Sequence, residues 1–303
     1  MSRMTSRRDF FRDAALLATG AAGAMAVGPV LAREPIARPG SPRIKLSCAA
    51  YSYRKYLSGD NATMTLDDFI EKCAEMGLDA VEPTTYYFPK PVTREYCIHL
   101  KQKAFLLGMD ISGTAIGNNY CKAPGPERDT EVAKTNQWIE HAAALGAPCM
   151  RVFAGGAPKG VPEDQARQWV VECLEECGEA AARHGVFLAV ENHGGVVATA
   201  DGMLAIVKAV KSDWCGVNLD TGNFHTEDPY ADMAKVAPYA VNVQLKTDVR
   251  AAGAPAQEAD FRRIVEILHS VNYRGYIAVE YEAKEDPMTG VPKAVERVRE
   301  AVS

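Results

Sequence analysis

Residues 185–195 read Gly-Val-Phe-Leu-Ala-Val-Glu-Asn-His-Gly-Gly, and the fold is decided by how this stretch is built. Gly185 follows a run with helical apolar spacing and suits the left-handed position that ends a helix. Val186 to Val190 are continuously apolar, as a parallel strand covered on both faces is. Glu191 is the first polar side chain after that run. A carboxylate inside a buried strand is costly unless partnered, so Glu191 belongs at the rim where the strand leaves the core.

The same grammar extends in both directions. Strands are expected at Ile44-Lys45-Leu46-Ser47-Cys48-Ala49-Ala50, at Ala80-Val81-Glu82, at Met109 to Gly113 and at Cys149 to Phe153. Further strands follow at Gly216 to Asp220, Ala240 to Leu245 and Tyr276 to Glu280, with helical stretches between and after them. Leu66, Phe69, Ile70, Cys73 and Met76 show the helical period before Gly77, and Gly108 and Gly146 close similar runs. Eight β-then-α units across residues 44–303, with no break in composition, give an α/β protein with a single (β/α)8 TIM barrel. An open nucleotide-binding sheet would carry G-x-G-x-x-G after its first strand, where this chain reads Ala49-Ala50-Tyr51-Ser52-Tyr53.

Composition agrees with a globular enzyme-sized chain. Of 303 residues, 47% are hydrophobic and 24% charged, which excludes collagen-like, coiled-coil and disordered classes. The net charge of −5, with no basic cluster beyond the first dozen residues, argues against a nucleic-acid partner. The eight cysteines include no C-x-x-C pair and read as buried structural thiols. Residues 1–32 look like a twin-arginine signal peptide: Ser6-Arg7-Arg8-Asp9-Phe10-Phe11, an Ala/Gly-rich apolar stretch, and Val30-Leu31-Ala32 as a cleavage site. The expected consequences are passage through the twin-arginine translocase and a periplasmic location. A Pro-rich leader, residues 33–43, precedes the barrel domain of residues 44–303.

Chemistry in such a barrel stands at the C-terminal ends of its strands. The fifth strand closes with Glu191-Asn192-His193, the sixth with Asp220-Thr221-Gly222-Asn223-Phe224-His225, the seventh carries Gln244-Leu245-Lys246, and the eighth closes with Glu280-Tyr281-Glu282. Carboxylates converging from neighbouring strands repel one another and raise their own pKa values unless a cation neutralises them. A divalent ion is therefore expected. The oxygen-rich donor set points to Mn2+ first or to Mg2+, and Co2+, Zn2+ or Fe2+ compete if His193 or His225 joins.

Those four strand ends together resemble the sugar phosphate isomerase/epimerase superfamily of xylose isomerase-like barrels, which includes hydroxypyruvate isomerase, tagatose 3-epimerase and inosose dehydratase. The resemblance covers the chain after the leader and implies a metal held by Glu191, Asp220, Gln244 and Glu280. Gln244 is similar to the hydroxypyruvate isomerase pattern, where ketose epimerases often carry His, and Asn223 replaces another frequent epimerase His. The implied chemistry is proton transfer by Glu191 and Glu280 through a cis-enediolate of a sugar, that is, isomerisation or epimerisation. A lyase or dehydratase of a keto-sugar or inosose, and a non-catalytic sugar-binding barrel, are the alternatives.

Glu82, Arg151, His193, His225 and Lys246 are the candidate substrate-binding residues. Tyr51, Tyr86 and Tyr87 at the first two rims offer an aromatic floor. His99, His141, His184 and His269 fall in helical stretches and read as structural.

Overall fold

The computed structural model describes residues 33–59 and 62–303, and the export segment expected at residues 1–32 lies outside them. Each apolar run becomes a strand: β1 Arg43–Ala49, β2 Ala80–Glu82, β3 in two segments at Asp110–Ile111 and Thr114–Ala115, and β4 Cys149–Phe153. These are followed by β5 Phe187–Glu191, β6 Cys215–Asp220, β7 Ala240–Leu245 and β8 Arg274–Val279. The outer helices are α1 Leu66–Glu75, α2 Arg94–Leu106, α3 Pro126–Leu145, α4 Glu163–His184, α5 Ala200–Val207, α6 Pro229–Val236, α7 Phe261–Ser270 and α8 Pro287–Val302. Their N-termini are capped by side chains where the chain leaves the strand rim: Thr65 and Asp68 make a reciprocal capping box, and Thr93, Thr199, Asp228, Asp260 and Asp286 accept backbone N–H groups.

Neighbouring strands are parallel, and the sheet runs from the first segment of β3 through β2, β1, β8, β7, β6, β5 and β4 to the second segment of β3. The two segments of β3 thus stand at opposite ends of one sheet, and a parallel bridge between Thr84 and Ala115 joins the seam. The sequence reading placed one continuous strand here. The break falls at Ser112-Gly113, where the chain passes so close to β4 that a Cβ on Gly113 would lie 2.9 Å from Cys149 Sγ and 3.3 Å from Glu82 Oε2. Only glycine fits this crossing.

The core is the annulus between sheet and helices, filled by residues such as Phe69, Ile70, Leu100, Ile139, Leu174, Ile206 and Leu268. All eight cysteines are free and buried, as expected of structural thiols. Among the described residues no helix is long and apolar enough to cross a membrane. Leader residues pack under the barrel: Arg33 N–H donates to Lys208 O at 3.1 Å and Ile36 N–H to Pro238 O at 3.0 Å.

Strand register sets the level of each inward residue. A shift between Val217 and Asn218 pairs Asn218 with Asn242 and Asp220 with Gln244 across β6 and β7. Glu191 pairs with Asn218 on the other side, and Gln244 with Ala278 of β8. By the period of two, Lys246 and Glu280 continue the faces of Gln244 and Ala278 one step nearer the rim.

Candidate active site

Glu191 ends β5 with its side chain 4% exposed, and its Oε2 lies 2.9 Å from Arg151 Nε of β4. Asn223, in the loop after β6, donates to the other oxygen of Glu191 at 2.9 Å. Arg151 is held in turn: it donates to Ile116 O at 2.6 Å and to the Tyr86 hydroxyl at 3.2 Å, and its guanidinium lies 3.9 Å from the Phe153 ring centroid. Burial pushes Glu191 up to about 7, with Arg151 opposing and Glu280 adding to the rise.

Across the site, Lys246 gathers the second group of acids. Its ammonium donates to Glu280 Oε2 and lies 2.8 Å from Glu282 Oε2 and 3.4 Å from Asp220 Oδ2. Burial alone would lower the Lys246 pKa, but these three carboxylates raise it, so the side chain is charged. Asp220 is fully buried and is pushed up to about 8 by burial, against Lys246 and with Glu191 and Glu280. The Gly222 N–H donates to Asp220 Oδ1 at 2.8 Å, whereas Oδ2 has no hydrogen-bond partner. Asn192 locks the two strand ends together, donating to Asp220 O at 2.9 Å and accepting from Asp220 N–H at 2.8 Å.

Below this level lies a layer of amides. Gln244 donates to Glu82 Oε1 at 2.6 Å and accepts from Asn218 Nδ2 at 2.6 Å, and Asn242 Nδ2 donates to both Glu82 Oε2 and Asn218 Oδ1 at 2.9 Å. Glu82 is fully buried and pushed up to about 7, first by burial and then by Glu280.

The structure therefore brings together Glu82, Arg151, Glu191, Asp220, Gln244, Lys246 and Glu280 from the sequence reading. The two candidate histidines are exposed. His193 is exposed and stacks on Phe153 with ring centroids 4.6 Å apart, because the chain has already turned out of β5. His225 is exposed on a cleft of about 260 Å3 that Asn223, Lys246, Asp248 and Glu282 also line. Tyr51 and Tyr86 meet edge to face at 6.4 Å on the same rim, after β1 and β2.

Asn192, Asn218, Asn242 and Glu282 were not singled out from sequence. Asn218 and Asn242 carried a signal: each is the lone carboxamide two residues before a candidate ligand, so the strand period points it into the barrel.

The donor chemistry fits a cation. Five carboxylates, Glu82, Glu191, Asp220, Glu280 and Glu282, face two basic groups, Arg151 and Lys246, and one buried Asp220 oxygen is orphaned. As the side chains stand, no three His, Cys, Asp or Glu groups among the described residues are placed to hold an ion. Arg151 and Lys246 occupy carboxylate oxygens an ion would use.

A family model described as a xylose isomerase-like TIM barrel matches residues 70–301. The 2-oxo-tetronate isomerase of Haemophilus influenzae is 21% identical over 178 residues, covering 55% of this chain and 68% of that protein. The crystal structure of D-psicose 3-epimerase with D-tagatose from Clostridium cellulolyticum H10 aligns with a TM-score of 0.68 at 18% identity, covering 86% of this chain and 99% of that one. The structure of the IOLI protein with a binding zinc atom aligns with a TM-score of 0.67 at 18% identity, covering 85% and 96%. At such identities the structural likenesses speak to the fold.

Proposed function

The chain belongs to the xylose isomerase-like TIM-barrel family, and on that premise we propose that it is a sugar isomerase or epimerase dependent on a divalent metal, with Mn2+ the first choice. One observation carries this reading: two buried carboxylates on separate strand ends, Glu191 paired to Arg151 and Glu280 to the Lys246 that Asp220 and Glu282 share. That arrangement suits proton transfer at two faces of one substrate. Its relatives and structural neighbours, an isomerase and an epimerase among them, support the same class.

Glu191, Asp220, Gln244 and Glu280 would hold the ion, which supplies Lewis-acid stabilisation of charge developing on substrate oxygens. The orphaned Asp220 Oδ2 and the excess of carboxylates over basic groups support that assignment. The chain's own groups do the rest. Arg151 and Asn223 hold the Glu191 carboxylate in one orientation, so that it removes a carbon-bound proton from one face of the sugar. Glu280, steered by Lys246, serves the other face. Return of a proton to the opposite face of the same carbon epimerises, and return to the neighbouring carbon of the cis-enediolate, with the hydroxyl proton of the first carbon passing to the former carbonyl oxygen, isomerises. Lys246 also brings positive charge to the oxygens that become negative on the way.

The twin-arginine pattern, Arg7-Arg8 followed by an apolar stretch, supports export through the translocase to the periplasm as part of the same proposal. The test of the reaction is solvent exchange. Incubation with Mn2+ and a panel of free ketoses and keto-sugars in D2O should give deuterium at a carbon next to the carbonyl, and Glu191→Gln should abolish it. Full exchange in that variant removes Glu191 as the base.

A further inference from the structure

Four buried side chains from β2, β6 and β7 close a hydrogen-bonded ring: Glu82 to Gln244, Gln244 to Asn218, Asn218 to Asn242 and Asn242 back to Glu82. Their exposures are 0% for Glu82 and Asn218, 1% for Gln244 and 2% for Asn242, so no solvent substitutes for a missing partner. The ring obeys a parity rule. Gln244 and Asn218 each pass one donor and one acceptor around it, but Asn242 gives the same nitrogen to both neighbours. Some other member must then accept twice, and a carboxylate is the acceptor-only group once it is ionised, which for Glu82 means above about pH 7. Asn242 shows the strength of this constraint: its own Oδ1 is buried without a partner while both N–H bonds serve the ring.

We propose that Glu82 is a positioning residue, which by accepting from Gln244 and Asn242 fixes the amide of Gln244 with its carbonyl oxygen turned away from Glu82 and available as a ligand atom. A carbonyl oxygen has two lone pairs, and Asn218 takes only one of them. The assignment rests on the reading of Gln244 as a metal ligand given above. Both Glu82 oxygens are thereby engaged within the ring.

The parity rule supplies its own test. With Gln at position 82 the ring has no double acceptor and at least one bond opposes like atoms. The exchanged pair Glu82→Gln/Gln244→Glu restores parity, because a carboxylate at 244 accepts from both 82 and Asn218 while the amide at 82 accepts from Asn242. Full-chain wild type, both single variants and the exchanged pair are compared by thermal unfolding in chelator and by calorimetric titration with Mn2+ alone.

E82Q is expected to lower Mn2+ affinity about 10–100-fold, as loss of a group orienting a ligand does. The exchanged pair is expected to melt on the order of 2–6 °C above the sum of the single effects. Mn2+ affinity in E82Q equal to wild type overturns the positioning role. Additive melting temperatures overturn the ring. A wild type that binds no Mn2+ overturns the metal reading itself, and the two failures are thereby told apart.

Discussion

Arg151 Nε lies 2.9 Å from Glu191 Oε2 with both side chains at most 5% exposed, so the principal candidate base is tied to a buried guanidinium. Removing one member of such a pair leaves the other charge uncompensated, which costs about 3–5 kcal/mol. Arg151→Ala and Glu191→Gln each leave the partner charge uncompensated, and both are expected to unfold at correspondingly lower denaturant. Chemical denaturation checks this, and a wild-type midpoint in either variant would show that the pair is not coupled as described.

Lys246 stands among Asp220, Glu280 and Glu282 and competes with any cation for their oxygens. Lys246→Met should therefore bind Mn2+ at least as tightly as wild type while turning over substrate far more slowly. A parallel loss of affinity, seen by calorimetry, would mean that Lys246 organises the acids and does not compete with the ion.

Gly222 lies against that lysine. A Cβ at this position would fall 2.6 Å from Lys246 Cγ and 2.9 Å from Asp248 O, the latter a backbone atom that does not yield cheaply. Gly222→Ala is expected to cost about 1–3 kcal/mol and to displace Lys246 from Asp220. Thermal unfolding reads the first effect. A Mn2+ affinity that shifts in the same sense as in Lys246→Met reads the second.

Acidity offers a fourth handle. Glu82 and Glu191 rise from 4.5 to about 7, and Asp220 from 3.8 to about 8, when the chain folds. The native state thus holds protons that the unfolded chain has released, and stability falls as pH rises from the unfolded to the folded values. The chelated protein should lose melting temperature between about pH 5 and pH 8 and level off above, with a shallower decline in Asp220→Asn. Saturating Mn2+ should flatten the same curve. A melting temperature that climbs across this range contradicts the assigned burial of these groups.

Much of this was legible in residue order. Eight short strand-like runs, each followed by a helical period, leave few alternatives to a barrel. The strand ends at Glu191, Asp220, Gln244 and Glu280 were readable because acids are seldom placed at the edge of buried strands without purpose. The split of β3 was not, since it depends on how closely Ser112-Gly113 approaches Cys149 on another strand. The setting of His193 was not legible either: it is exposed and stacks on Phe153 because the chain turns after Glu191.

The sequence by itself determined the class of fold and which residues reach the rim, because periodicity and the cost of burying charge act on each segment alone. Partnership was decided only in the tertiary structure. That Arg151 takes Glu191, that Lys246 takes Glu280, and that Glu82 closes a ring through Gln244 follow from strand register and barrel closure, including the one-residue shift at Val217 that sets Asn218 beside Asn242. Hydrogen bonds and ion pairs act over about 3 Å, and residues up to 162 positions apart come that close only when the sheet curves to meet itself.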